Sequence, residues 1–461
     1  MKNRVRLLEV LKRAETGPMI EEKKFDLEVV AGTIRKLVKK YGLKFDRSLI
    51  VPNDDELADR LFEAGMECAA ETGIFCQDTS RRIIWTRGEL EEGLRGCISE
   101  AVFGSGNDTC LARTRRPEDN IPALMVGGVY GIAIPEDQFE AMYVSYAQES
   151  VIDIVEPGTL ETVYGFPTKA ASPWEVLAAW REFELSRAAV EKVGRPGMCK
   201  GCVENSPTAL GGLAGTGSGG FTPSDWHHVS TISEMKTNYH LLSLTTQTTR
   251  IGGLMEAYYN PIFGGYVGGT EGVAVAIVAG LILIQQTYMA TTVSTRPDHP
   301  FYSCDTTPEL LWALSVGIQA LARNTNLLTG ALVGPAGGPG TKTMLYENTA
   351  FTLSGIASGL SVMEAAHSAG GKVPKHCSGL DAKICGEVAR AARCLSRGDA
   401  NELVMKLLEK YESDIPTLPI GQKFEEVYDL KTVRPTPEWQ GIYDGVREDL
   451  IGMGLPLDRL I

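Results

Sequence analysis

Apolar and polar positions fall into two textures along the chain, and the change between them comes near Arg82. Up to about Gly73 the apolar residues recur every third or fourth position, which gathers them on one face of a helix. The opening fifteen residues have this pattern. A segment opened by Asp26 has it too, with Leu27, Val30, Ile34, Leu37 and Val38 on one face and Gly42 as a stop, and Asn53 opens another with Leu57, Leu61 and Phe62. Beyond Arg82, short β-rich runs alternate with helical segments that carry start signals. Ile83 to Trp85 reads as a strand, Thr86 to Val102 as a helix, and Ala123 to Ile134 as a glycine-interrupted extended stretch.

The second half repeats this alternation. Ser172-Pro173-Trp174-Glu175 is a capping box with proline at the first helical position, and Val176, Trp180, Phe183 and Val190 line one face before Gly194. Thr222-Pro223-Ser224-Asp225 predicts the start of another helix, with Trp226, Val229, Ile232 and Met235 as its apolar stripe, and Leu241 to Thr246 then reads as a strand. A glycine-rich connection from Asn260 to Gly272 leads into an apolar helix, and Thr291 to Ser294 predicts a strand. Thr306 and Glu309, with Pro308 between them, cap a helix through Asn324; Leu327 to Val333 is strand-like and Gly334 to Gly340 is a loop. After Gly371 the pattern is helical, with starts at Ser378, Asn401 and Thr436. The unit of strand, long loop and capped helix predicts an α/β fold, a (β/α)8 TIM barrel whose catalytic face is built from the loops after the strands. A doubly wound sheet is the alternative, but no G-x-G-x-x-G lies between a strand and a helix. The expected division is an N-terminal helical extension over 1–75 and a barrel with covering C-terminal helices over 76–461.

Composition narrows the function. The 461 residues are 43% hydrophobic and 22% charged, and a net charge of -13 is spread without an acidic tail or basic block. Nucleic acid and anionic membrane are therefore not expected partners. The N-terminus lacks the apolar core of a signal peptide. The longest apolar run, Val273 to Ile284, is shorter than the ~20 residues that cross a bilayer. Ten cysteines without an export signal are expected to be thiols in a cytoplasmic protein. Most of them, Cys97, Cys385 and Cys394 included, read as small buried hydrophobes.

The stretch from Gly194 to Asp225 carries the candidate chemistry. Seven glycines lie between Gly201 and Gly220, and Cys199 and Cys202 form a Cys-x-x-Cys pair. A long structureless segment inside a compact domain predicts a binding loop, the mouth of a pocket. Glu204 is a candidate general acid or acidic wall for a cation, and His227 and His228 are candidate proton donors to a leaving group. Cys199 and Cys202 with His227 would make a zinc set; redox thiols or two ordinary cysteines are the other readings. Lys200, next to Gly201 on an extended segment, points to the opposite side. Tyr258 and Tyr266 offer faces suited to a quaternary ammonium ion, and Tyr259 reads as packing.

Several stretches in one order resemble the monomethylamine methyltransferase family of methanogenic archaea. They are Gly73-Ile74-Phe75-Cys76-Gln77-Asp78-Thr79, Ser145-Tyr146-Ala147-Gln148-Glu149, Glu175-Val176-Leu177-Ala178-Ala179, Gly194-Arg195-Pro196-Gly197-Met198, Pro261-Ile262-Phe263-Gly264-Gly265-Tyr266, Gly386-Glu387-Val388-Ala389-Arg390-Ala391 and Tyr428-Asp429-Leu430-Lys431-Thr432-Val433. The resemblance implies a homo-oligomeric barrel enzyme that moves a methyl group from an amine to the cobalt of a separate corrinoid protein. The corrinoid would belong to that partner, and this chain has no Asp-x-His-x-x-Gly motif to bind one. The family's pyrrolysine position falls on Gly201. Two family glutamates align with His228 and Tyr258 and a glutamine with Leu332, while Glu204, Asp225 and Glu234 match. These departures point away from monomethylamine and toward a quaternary amine, with Gly201 expected to open space for it. A zinc-dependent methyltransferase acting on an O- or S-methyl compound and a non-catalytic paralogue that binds a corrinoid protein are the alternatives.

Overall fold

A computed structural model describes residues 2–203, 207–217 and 219–460. Eight strands close into a barrel: β1 (Leu124–Gly128), β2 (Ile154–Glu156), β3 (Cys199–Cys202), β4 (Trp226–Ser230), β5 (Leu254–Tyr259), β6 (Thr292–Thr295), β7 (Leu328–Leu332) and β8 (Val362–Ala365). Every neighbouring pair is parallel. The (β/α)8 expectation is met.

Alternation along each strand sorts its residues between the interior and the helical shell. Leu124, Val126, Ile154, Cys199, Trp226, Leu328 and Val362 form one inner cluster near the strand starts. An antiparallel hairpin of Glu100–Phe103 and Cys110–Arg113 joins that cluster through Ala101, Phe103 and Ala112. Phe103 meets Trp226 edge to face at 6.4 Å. The N-terminal end of the barrel is thus plugged with apolar side chains, and the C-terminal end is left for chemistry.

The N-terminal helices pack on the shell. Asp55–Thr72 lies against the helices Thr270–Tyr288 and Pro308–Asn324, and Gly65 lets it approach Val278. Ile74–Cys76 pairs with Arg81–Ile83 and, in parallel, with Lys236–Thr237 from the connection after β4. Lys236 extends this junction with bonds of 2.8 and 2.9 Å to Glu22 and Asp26. Thr270–Tyr288 is long and apolar enough by composition to cross a membrane, but 94% of its apolar window is buried inside the protein, as a barrel helix should be.

Four local expectations are corrected. Trp226 does not begin a helix, because Asp225 accepts bonds from the Thr222 amide and hydroxyl at 2.8 and 2.9 Å and closes a turn that launches β4. Leu241–Thr246 lies within a helix, Tyr239–Ile251, capped by the Asn238 side chain and ended by left-handed Gly252. Its threonines fit because Thr245 and Thr246 bond back to the carbonyls of Leu241 and Leu242. The segment from Thr86 starts as a helix with a capping box but ends at Arg95, and Glu100–Phe103 is a strand. The stretch from Gly194 holds β3 and a short helix, Ala209–Gly215. All ten cysteines are free thiols, with Cys385 buried, Cys97 half-buried and Cys394 exposed.

Glu234, in the connection after β4, accepts bonds from the Tyr259 hydroxyl at 2.6 Å and the Ile262 amide at 2.9 Å. Burial pushes its carboxyl up from 4.5 to about 7. The folded protein therefore keeps a proton that the unfolded chain loses above about pH 4.5. The resulting stabilisation is complete below that pH and disappears as pH rises through about 7, and a shift of this size is worth on the order of 3 kcal/mol. Glu234→Gln is expected to reduce the fall in melting temperature between about pH 5 and 8, measured by calorimetry. An unchanged fall would refute the role.

Candidate active site

Four ionisable side chains converge inside the barrel, one each from β2, β4, β5 and β8. Glu156, Glu256 and Glu364 have no solvent exposure. His228 lies between two of them, with Nδ1 3.1 Å from Glu156 Oε1 and Nε2 3.3 Å from Glu256 Oε2. With a carboxylate oxygen facing each nitrogen, the ring when protonated is paired with an acid on both sides. Burial, and then the neighbouring Glu256, raises Glu364 well above the usual carboxylate range. It remains a neutral acid and hydrogen-bonds Glu256.

Glycines make room for these groups. A Cβ on Gly201 would fall inside the Glu156 carboxylate, and one on Gly330 would strike Ser294 and Glu364. Gly201 therefore does not open space for a larger substrate as expected; Glu156 fills it. Beneath the cluster, Trp226 presents its ring edge to face with His228 at 5.1 Å and donates Nε1–H to Thr292 at 3.0 Å. Above it, Tyr258 is the next inward residue of β5 after Glu256, and Leu332 ends β7 beside Glu364 in register. Tyr130, after β1, donates to the Val126 carbonyl at 3.3 Å. Burial, and then the neighbouring Glu364, Glu156 and Glu256, hold its phenol well above its usual range.

The other predicted residues divide by strand face. Cys199 is inward in the apolar floor, whereas Cys202, three residues on, is outward beside His227 in the strand register. The zinc set of Cys199, Cys202 and His227 is therefore not assembled. Burial raises both thiols well above the usual range. Among the described residues, no group of three or more His, Cys, Asp or Glu could hold a metal ion.

His227 places Nε2 2.8 Å from the Thr222 carbonyl, and burial lowers its pKa. Lys200 points away from the interior, as expected, and pairs with Asp225 at 2.8 Å. Asp225 thus has a structural role in these contacts. Glu234 bonds Tyr259 and Ile262 outside the four-residue cluster. Tyr266 is 41% exposed and lines a groove with Leu27 and Ile34. Glu204 lies outside the described residues.

Sequence reasoning missed Glu156, Glu256 and Glu364. A signal for them exists: each is a lone acid in an apolar strand run, Ile154-Val155-Glu156, Met255-Glu256-Ala257 and Val362-Met363-Glu364-Ala365. Burying an acid in such a run is costly unless it is paired.

The family model for monomethylamine methyltransferase MtmB matches residues 5–455. Monomethylamine methyltransferase MtmB2 of Methanosarcina acetivorans is 33% identical over 443 residues, covering 96% of each chain, and MtmB2 of Methanosarcina barkeri matches to the same extent. The crystal structure of Methanosarcina barkeri MtmB superposes with a TM-score of 0.94 at 32% identity, covering 97% of this chain and 98% of that one. The crystal structure of the hydroxylamine MtmB complex gives 0.95 over the same shares. With the closed barrel and the whole-length match in agreement, the chain belongs to the monomethylamine methyltransferase family.

Proposed function

We propose that this methyltransferase takes a methyl group from a quaternary ammonium compound and passes it to Co(I) of a corrinoid carried by a partner protein in the cytoplasm. The observation that carries the reading is the buried cluster of Glu156, His228, Glu256 and Glu364, which sets three carboxyl groups around one imidazole below Tyr258. The cluster supplies charge for a cation, and the tyrosine supplies a ring face.

The leaving group decides between kinds of amine. The Co(I) electron pair attacks the methyl carbon, the carbon–nitrogen bond breaks, and its electrons stay on nitrogen. A quaternary ammonium leaves as a neutral tertiary amine. A primary amine is a cation only while it keeps its proton, and unlike a quaternary nitrogen it can react in the neutral form. It would then have to leave as an amide anion, which is far too basic to depart. This chain's residues are thus suited to hold a permanent cation, exclude water and keep the methyl group directed to the open end of the barrel.

The test mixes the protein with Co(I) corrinoid protein and follows cobalt methylation by absorbance. Turnover is expected with a small quaternary amine and very little with monomethylamine. Equal or faster turnover with monomethylamine refutes the substrate assignment, and no methylation from any amine favours a non-catalytic paralogue.

Gly201→Ala forces the Glu156 carboxylate to move and with it the partner of His228 Nδ1. Displacing one positioned electrostatic group costs about 100-fold or more in rate. Such a loss of methyl transfer is expected while circular dichroism shows a folded protein. A fully active variant would remove Glu156 from the site.

A further inference from the structure

When protonated, His228 holds the position that a cluster of carboxyl groups offers to a substrate cation. Both its nitrogens face buried carboxylates, Glu156 at 3.1 Å and Glu256 at 3.3 Å. A ligand cation drawn to the same carboxylates must contend with a positive charge already between them. We propose that His228 and the substrate cation compete for Glu156 and Glu256, so that substrate binding turns the ring out of the pair and releases its proton. The proposal rests on the cationic-substrate reading above and adds the residue that sets how strongly, and at what pH, a cation is taken.

Two observations support it. His228 is the one member of the four with solvent exposure, its side chain 13% exposed while the carboxylates are fully buried, so the ring has an open side toward which it can turn. Its contact with Trp226 is edge to face, which guides the ring without enclosing it. Binding without exchange would set two like charges side by side against one carboxylate pair, a repulsion that exchange avoids.

The charged and titratable groups around His228 fix the sign of the pH dependence. They are Glu156 from β2, Glu256 from β5, Glu364 from β8 and the adjacent His227, whose own pKa burial lowers. The acids favour the protonated ring while it sits between them. Once turned away it has the ordinary affinity of an imidazole for a proton, which is half lost near pH 6.5. Above that pH each bound cation should release about one proton, and cation affinity should rise with pH by up to about tenfold per unit.

The experiment titrates tetramethylammonium into the full-length protein by calorimetry at about pH 7.5, in phosphate and in Tris, whose ionisation heats differ. The difference between the two heats gives the protons released. The wild type is expected to release about one proton per cation. His228→Gln is expected to release none, with an affinity that does not change between about pH 6 and 8. Wild-type binding without proton release overturns the proposal while leaving the quaternary substrate standing. So does loss of cation binding in a folded His228→Gln protein. Proton-linked binding of the expected size, with no cobalt methylation in the transfer assay, instead overturns the functional reading alone. Absence of tetramethylammonium binding to either protein overturns both.

Discussion

Burial of three carboxyl groups inside one barrel is the constraint from which the site follows. Water cannot reach Glu156, Glu256 or Glu364, and an ionised carboxylate without a partner in such a place would cost several kcal/mol. The structure meets that cost in three ways. His228 lies between two of the acids, Glu364 keeps its proton and shares it with Glu256, and glycines at 201 and 330 leave volume for the carboxyl groups. Each device needs the others. Without Gly201, Glu156 has no room, and without Glu156 the imidazole loses a partner at Nδ1.

The surrounding architecture keeps this arrangement dry and directs it one way. Phe103 and Trp226 close the N-terminal end, so reactants have only the C-terminal end by which to approach. Trp226 also meets His228 edge to face, which joins the packed floor to the polar layer. The N-terminal helices lie outside this core, and the Ile74–Cys76 sheet and the pairing of Lys236 with Asp26 fasten them to the connection after β4. Glu234, Asp225, Lys200 and His227 belong to this outer framework, and their polar chemistry holds turns and junctions in place.

Within the family, the match runs the length of the chain at about one residue in three and the backbone is retained. Chemical identity in such a family depends on a handful of inward positions. Here those positions carry a glycine, a histidine and a tyrosine at 201, 228 and 258, with glutamates at 156, 256 and 364. The barrel fixes where these side chains point.

Local sequence determined much of the fold. Thr86, and Ser172 with Pro173, mark helix starts that the structure keeps, because a cap satisfies amides within one turn of itself, while the start read at Thr306 falls one residue later, at Thr307. The apolar stretch after Gly272 reads as a core helix and is one. Strand faces were harder to read, since both sides of a barrel strand are buried and alternation loses its polar marker. That is why Trp226, Val229 and Ile232 suggest a helical stripe where β4 runs, and why Cys199 and Cys202 look like a pair although they face opposite ways. The site was the least legible part. Glu156, Glu256 and Glu364 lie about a hundred residues apart in sequence, and only closure of the barrel brings them around His228. Sequence sets each local backbone preference, but a shared proton and a paired charge depend on distances of a few ångströms between strands, which tertiary structure alone decides.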